Sequence, residues 1–347
     1  MRFAAWRLFA LSLLACSALF AADPGSDYKI LQKLRVGGEG GWDYLTVDPD
    51  ARRLYVTRGT HVSVFDADSL KPLGEIPDTP GVHGVAIAPE LKRGFISNGR
   101  AGTVTIFDLS TLKKIDDVKV GENPDAILYD PSTKQVFAFN GRSGSVSVLD
   151  AVTGKVKTTV PLGGKPEFAT TDLAGHVYVN LEDKSEVVVL DASKSAVTAR
   201  WPLAPCEEPS GMAIDRKNRR LFIGCDNKMM AVVDTATGKI LATPAIGSGV
   251  DANGFDPDTN LAFSSNGEGT LTIVREDSTD KFTVVANVPT QRGARTMALD
   301  PKTHRIFLVT ADFGPPPSPT AEQPRPRPSS IPGTFTILVV GPGTTPR

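Results

Sequence analysis

The chain has 347 residues, of which 40% are hydrophobic and 22% are charged, and its formal net charge is −1. This length and composition suit a soluble globular protein with a large core. The balanced charge argues against a nucleic-acid-binding protein, which normally carries a basic face, so we expect no nucleic-acid partner.

The N-terminal region has the pattern of an export signal. Arg2 and Arg7 precede and border an apolar run at residues 8–14 that is too short to span a bilayer, and small residues follow as far as Ala22. We therefore predict a signal peptide over residues 1–22, a periplasmic or secreted protein, and no transmembrane segment. Residues 13–16 loosely resemble a lipoprotein signal ending at Cys16, but the leucine at its middle position fits poorly and favours ordinary cleavage near Ala22.

The rest of the chain is repetitive, because an aromatic residue recurs in a short apolar run every 40 to 44 residues. A period of about 40–50 residues with several short strands per unit is typical of a β-propeller. We expect these aromatic side chains to pack in the core. The seven residues are Tyr55, Phe95, Phe137, Tyr178, Phe222, Phe263 and Phe307.

Each repeat predicts four strands. The first ends at an acidic or proline-containing turn such as Asp130-Pro131, and the second carries the aromatic residue. The third alternates apolar and small polar residues, as in residues 145–149, and a turn opened by an aspartate such as Asp150 leads to the fourth. An aspartate in that position bonds the backbone of its own turn, so we give it a structural role.

The last repeat lacks a fourth strand, and residues 28–36 alternate like one. We expect them to pair with residues 334–340 and close the ring without a long free edge. The predicted fold is an all-β, seven-bladed β-propeller over residues 23–341, with four antiparallel strands per blade and a disordered tail at 342–347. The predicted blades span about 41–80, 81–122, 123–164, 165–207, 208–248, 249–291, and 292–340 with 28–37.

Three sequence motifs point to a known family. They are Leu54-Tyr55-Val56-Thr57, Tyr178-Val179-Asn180, and residues 144–150 followed by Thr153-Gly154-Lys155. With them, residues 28–340 resemble the YVTN-repeat β-propellers, also called YncE-like; Arg58 stands where asparagine is usual, and Gly224-Cys225 replaces Thr-Asn. The resemblance implies an exported binding or scaffold protein without an established set of catalytic residues.

One position of the predicted first strands is polar in every repeat, whereas the position two residues later is mostly apolar. This pattern predicts a ring of polar side chains at one mouth of the central channel. If His83 is neutral, the ring has a formal charge of −3, and crowding raises the pKa of some of its carboxylates. The ring consists of Asp43, His83, Asp125, Glu167, Ser210, Asp251 and Arg295.

We interpret this polar ring as a ligand-binding site. Its oxygen-rich character suits a hydrated Ca²⁺ or Mg²⁺ ion, with Asp125, Glu167 and Asp251 as candidate ligands, or a small molecule with a positively charged group. The alternative is a water-filled mouth in which Arg295 forms ordinary salt bridges with Asp43 and Asp251.

Two further features lie near the same rim. Residues 313–333 contain eight prolines and favour an extended polyproline conformation. This proline-rich loop is either a lid anchored by Phe313, with Arg325 and Arg327 reaching the polar ring, or a solvated insertion without contacts.

Cys206 and Cys225 face one rim of one blade, so they form either a disulfide, contributing about 3 kcal/mol, or two reduced thiols.

Three functions remain open on the sequence. The favoured hypothesis is a monomeric, non-catalytic exported protein that binds an unknown protein or small molecule at the polar ring and the proline-rich loop. The second is a metal-assisted lactonase or lyase, by analogy with other propellers, in which His83 is the acid or base, Asp125 and Glu167 hold the metal and Arg295 binds an anionic group. The third is a structural protein of the cell envelope.

Overall fold

The computed structural model describes residues 25–38, 40–318, 320 and 328–343. The predicted signal peptide 1–22, the lipidation candidate Cys16, and Arg325 and Arg327 of the proline-rich loop lie outside the described residues. Pro342, which we predicted to begin a disordered tail, instead ends a strand and pairs with Tyr28. The ordered structure therefore extends beyond the predicted boundary.

Seven antiparallel sheets of four strands each form the seven blades, which confirms the predicted fold class. The first four blades contain the following strands: β2 (Leu45–Asp48), β3 (Arg53–Thr57), β4 (Val62–Asp66) and β5 (Pro72–Ile76); β6 (Val82–Ala88), β7 (Arg93–Asn98), β8 (Thr103–Asp108) and β9 (Lys114–Lys119); β10 (Pro124–Asp130), β11 (Gln135–Asn140), β12 (Ser145–Asp150) and β13 (Val156–Pro161); β14 (Pro166–Thr171), β15 (His176–Leu181), β16 (Glu186–Asp191) and β17 (Ala196–Pro202).

The last three blades complete the circle. Their strands are β18 (Pro209–Asp215), β19 (Arg220–Cys225), β20 (Met229–Asp234) and β21 (Ile240–Ala242); β22 (Val250–Asp256), β23 (Leu261–Asn266), β24 (Thr270–Ser278) and β25 (Lys281–Pro289); β26 (Met297–Asp300), β27 (Arg305–Thr310), β28 (Thr336–Pro342) and the N-terminal β1 (Tyr28–Arg35). Two 3-10 turns cover Pro89–Leu91 and Glu182–Lys184. Among the described residues, no helix has the length and hydrophobicity needed to cross a bilayer.

The innermost strand of each blade contacts the innermost strands of both neighbouring blades, so these strands surround a central channel. The ring closes through β1, which pairs with β28 from Tyr28–Pro342 to Arg35–Thr336. This pairing joins the two ends of the described chain in one sheet, as the alternation in residues 28–36 predicts.

The core lies between the blades. The recurring aromatic residues are all buried, with at most 3% of their surface exposed. They pack on neighbouring sheets; for example, the Tyr55 ring of the first blade lies 6.1 Å from that of Phe107 in the second. Burying a side chain of this size contributes about 1.5–3 kcal/mol. The aromatic repeat therefore stabilises the ring of blades and does not form a recognition surface.

Candidate functional site

The residues of the polar ring lie where the innermost strands begin and where strand pairing is irregular. In five blades the pairing of the first and second strands shifts register around the ring residue. These residues are His83, Asp125, Glu167, Ser210 and Asp251. Such a bulge bends the strand and redirects the side chain that it contains. Asp43 and Arg295 lie just before β2 and β26 and belong to loops.

Hydrogen bonds from the second strands hold the backbone near the polar ring residues in place. Ser97 Oγ on β7 accepts a hydrogen bond from Gly84 N at 2.9 Å and donates one to the carbonyl of Asp125 in the next blade. Ser265 on β23 bonds the carbonyl of Arg295 in the same way, and Asn180 Nδ2 donates to Ser210 O at 2.7 Å. A small polar side chain in one blade thus fixes the backbone of a ring residue in the next.

Asp43, His83 and Asp125 form one continuous cluster. His83 Nδ1 lies 2.6 Å from Asp43 Oδ2 and 3.5 Å from Asp125 Oδ1. One ligand atom from each residue lies within 4.8 Å of the other two. The Asp125 side chain is recessed, with 13% of its surface exposed. These three residues are close enough to bind one cation together.

The remaining charged residues of the ring have partners of their own. Arg295 Nε lies 3.1 Å from Asp251 Oδ2, and Ser210 Oγ donates to Asp251 Oδ1 at 3.2 Å. Glu167 pairs with Lys165 at 3.1 Å. The structure therefore groups Asp125 with Asp43 and His83, whereas the sequence grouped it with Glu167 and Asp251. The predicted Arg295–Asp251 pair is present, but Asp43 pairs with His83 instead of Arg295.

Burial and crowding shift the pKa values in this cluster. Burial lowers the pKa of His83, but the hydrogen bond to Asp43 and the charges of Asp125 and Asp43 outweigh burial and raise it to about 9. This direction favours a protonated His83 at neutral pH, whereas the charge of −3 assumes a neutral histidine. Burial raises the pKa of Glu167 to about 7 and also raises that of Asp125, to which the charges of Asp43 and Glu167 add.

Tyr44 forms the floor of the site. Its hydroxyl donates a hydrogen bond to Glu167 O at 3.1 Å, and its ring meets that of Phe168 edge-on at 5.4 Å, so the side chain crosses the channel from the first blade to the fourth. Burial, followed by the charges of Asp125 and Glu167, raises its pKa well above the ordinary value. Beneath it lies a cavity of about 80 Å³ with a mainly apolar lining that includes Leu45, Val85, Ile127, Ala169 and Met297. The Tyr44 side chain therefore spans the channel below the mouth.

The base of the proline-rich loop lies beside this mouth. Phe313 forms a β-bridge with Ser330, and Gly314 N donates to Ser329 O at 3.0 Å. The partly buried Phe313 ring lies 6.2 Å from that of Trp42, whereas Ile331 is 45% exposed. Together with Asp43 and Arg295, these segments border a cavity of about 460 Å³, which we call the side cavity.

The fifth blade carries a covalent link near the same rim. Cys206, in the connection before β18, is bonded to Cys225 at the end of β19, and their Cα atoms are 5.4 Å apart. The bond ties a rim loop to the sheet behind it.

Comparison with solved structures shows the propeller fold. The WD40 repeats of RRP9 have 12% identity with a TM-score of 0.71, over 91% of this chain and 98% of that one. U3-55K has 12% identity and a TM-score of 0.70, over 90% and 98% of the two chains. The hydrazine synthase of Kuenenia stuttgartiensis has 16% identity and a TM-score of 0.69, over 77% and 92%. No protein-family model and no curated protein sequence matches the chain.

Sequence reasoning missed two residues of the site. Tyr44 directly follows Asp43, the polar ring residue of its blade. The equivalent residue is small in five blades and is aromatic only in the first and fourth, as Tyr44 and Phe168. That exception was a readable signal, because the two blades face each other across the channel. Lys165 gave no such signal, since it lies outside the repeated column and its pairing depends on the bulge at Glu167.

Proposed function

We propose that this propeller is a ligand-binding protein whose site is the recessed channel mouth, and that Asp43, His83 and Asp125 bind a divalent cation there. The observation that carries the proposal is the convergence of their three ligand atoms within 4.8 Å of one another. The floor formed by Tyr44 and the recessed position of Asp125 favour a bound ion over open solvent.

The donor set indicates which cation is preferred. Two carboxylates and one imidazole nitrogen suit Mn²⁺ or Zn²⁺ better than the Ca²⁺ or Mg²⁺ expected for an all-oxygen site. A cation would take the place of the proton on His83 Nδ1, because a ligating imidazole must be neutral. Since the pKa of His83 is about 9, cation binding releases a proton and strengthens as the pH rises towards that value.

Calorimetric titration of the metal-stripped protein with Mn²⁺, Zn²⁺, Ca²⁺ and Mg²⁺ tests this proposal. We expect one Mn²⁺ or Zn²⁺ per chain and at least about tenfold weaker binding in Asp125→Asn. The matched control is Asp226→Asn, which changes an exposed aspartate of the same rim. The proposal fails if no ion binds, or if both variants bind as the wild type does.

We further propose that the protein is an exported, monomeric member of the YVTN-repeat group. The disulfide supports an oxidising compartment, and the pattern of residues 1–22 supports export. Cell fractionation should find the protein in the periplasm or the medium, and gel filtration should give the mass of one chain. Recovery in the cytoplasm or as a dimer would contradict these proposals.

A metal-assisted lactonase or lyase is the second candidate. The contact that favours it is the hydrogen bond between His83 Nδ1 and Asp43 Oδ2, which are 2.6 Å apart, since a carboxylate commonly orients a general base in this way. In this alternative His83 Nδ1 keeps its bond to Asp43, and Asp125 and Glu167 hold the metal. A panel of lactones incubated with the protein and Mn²⁺ should then be hydrolysed, and His83→Asn should remove the activity. Equal rates with wild type and variant would exclude His83 as the acid or base.

A further inference from the structure

The side cavity differs in chemistry from the acidic cluster beside it. Its volume of about 460 Å³ is within the range of small-molecule sites, about 300–1,000 Å³. Its lining includes Trp42, Phe313, Arg292, Arg295 and Thr296. Aromatic rings and cationic side chains thus face one space.

Packing on a glycine fixes the aromatic part of the lining. A Cβ on Gly293, whose φ is +82°, would lie 2.5 Å from the Phe313 ring, so this ring packs directly on the backbone. Phe313 in turn lies 6.2 Å from Trp42 at an interplanar angle of 54°. The two rings offer an apolar surface of defined position to a planar group.

The polar part of the lining contains two cationic side chains, and its one carboxylate, Asp43, pairs with His83. Arg295 pairs with Asp251, and 43% of the surface of its side chain remains exposed. The Arg292 side chain is exposed and forms no ion pair with any described residue. Thr296 is 1% exposed and its hydroxyl is buried, so the accessible donors are those of the two arginines. Guanidinium groups match the acceptor oxygens of an oxyanion.

We propose that the side cavity binds a small molecule with a planar apolar body and a terminal oxyanion, either a carboxylate or a phosphate. Arg292 and the exposed part of Arg295 bind the oxyanion, and the planar body lies against Trp42 and Phe313. The inference rests on the proposal that the channel mouth binds ligands, but it does not require the cation.

Calorimetric titration of the full chain with benzoate, phenyl phosphate and benzylamine tests the inference. We expect saturable binding of at least one of the two anions, whose comparison separates carboxylate from phosphate, and no binding of benzylamine. Arg292→Gln should weaken binding about tenfold or more, because a hydrogen bond between charged groups is lost. The control is Arg142→Gln, an exposed rim arginine outside the cavity lining, which should bind as the wild type does.

A second variant fills the cavity without disturbing the fold. Gly41 lines it, and a Cβ at this position would meet no atom within 4 Å. Gly41→Leu should keep the wild-type melting temperature and abolish anion binding. The inference is overturned if neither anion binds, if benzylamine binds equally well, or if Arg292→Gln or a folded Gly41→Leu binds like the Arg142→Gln control.

The two proposals fail separately. Asp125→Asn should lose the cation and keep anion binding, whereas Arg292→Gln should lose the anion and keep the cation. Cation binding without anion binding would overturn the inference and leave the proposed function standing. Anion binding without cation binding would do the reverse.

Discussion

At the scale of single residues, burial and charge act in opposite directions on the cluster of Asp43, His83 and Asp125. Burial favours the neutral form of each group, while each carboxylate favours the protonated form of His83. The outcome is a raised pKa of about 9 for His83 and a raised pKa for the Asp125 carboxyl. In the absence of a cation, protons stabilise this cluster.

The pH dependence of stability follows from these directions. His83, Glu167 and Asp125 all have higher pKa values in the folded than in the unfolded state, so the folded protein binds more protons. Their stabilising contribution is present at low pH and is lost as the pH rises through the folded pKa values. Glu276, whose pKa burial and then the charge of Asp215 raise to about 7, adds an effect of the same sign. We expect the free energy of unfolding, measured with urea in chelator, to fall from about pH 6 to about pH 9.

Asp125→Asn isolates the contribution of the cluster. The substitution removes one raised carboxyl and weakens the attraction that raises the pKa of His83, so the decline with pH should become shallower. Asp226→Asn should retain the wild-type slope. A wild-type stability that rises over this range, or equal slopes in Asp125→Asn and wild type, would show that the assigned pKa directions are wrong.

At the scale of elements, the bulged start of the innermost strands brings the side chains of the candidate site together. The hydroxyl of Ser97 satisfies Gly84 N and reaches Asp125 O in the next blade. Without this bond the bulge would leave a buried backbone donor unpaired. The same hydrogen bonds therefore stabilise the strand and position the Asp125 side chain.

Replacing Ser97 tests this coupling. We expect Ser97→Ala to lower the free energy of unfolding by about 1–3 kcal/mol, because Gly84 N loses its partner, and also to weaken cation binding. Thr158→Ala, which removes an exposed hydroxyl on an outer strand, is the control and should change neither quantity. A variant that loses stability but binds the cation with unchanged affinity would show that the bulge does not position the Asp125 side chain for binding.

The sequence predicted the level of the polar ring residues on the blades, but not their contacts. All seven were read from one column, because a repeat places equivalent residues at equivalent levels, and they lie at or just before the starts of the innermost strands. Their pairing could not be read in the same way, since a register shift at His83 or Glu167 turns the side chain by an amount that periodicity does not encode. Lys165 was missed for this reason, and so was the preference of Asp43 for His83 over Arg295.

At the scale of the whole molecule, the blades form a ring that closes through β1 and β28. The sequence predicted this closure, because strand alternation and the count of strands per repeat are local properties. The sequence could not predict the cavity beneath Tyr44, since this cavity depends on one side chain crossing to the opposite blade. It also could not predict the position of the base of the proline-rich loop, because only the packing of Phe313 on Gly293 places it beside the polar ring.

The disulfide stabilises this ring at the rim of the fifth blade. Cys206 and Cys225 are 19 residues apart, and closing a loop of this size contributes about 3 kcal/mol. The Cys206→Ala/Cys225→Ala variant should therefore unfold at a lower urea concentration than wild type. Reductant should shift the wild-type transition in the same direction and leave that of the variant unchanged. Coincident transitions for oxidised wild type and variant would mean that the bond does not stabilise the fold.

The central claim is that the channel mouth is a cation site, and anomalous X-ray diffraction from crystals soaked in MnCl₂ tests it most directly. We predict an anomalous difference peak in contact with Asp43, His83 and Asp125, above the Tyr44 ring, and no such peak in Asp125→Asn crystals. Mn²⁺ found only elsewhere on the molecule, with His83 Nδ1 still bonded to Asp43, would contradict the account.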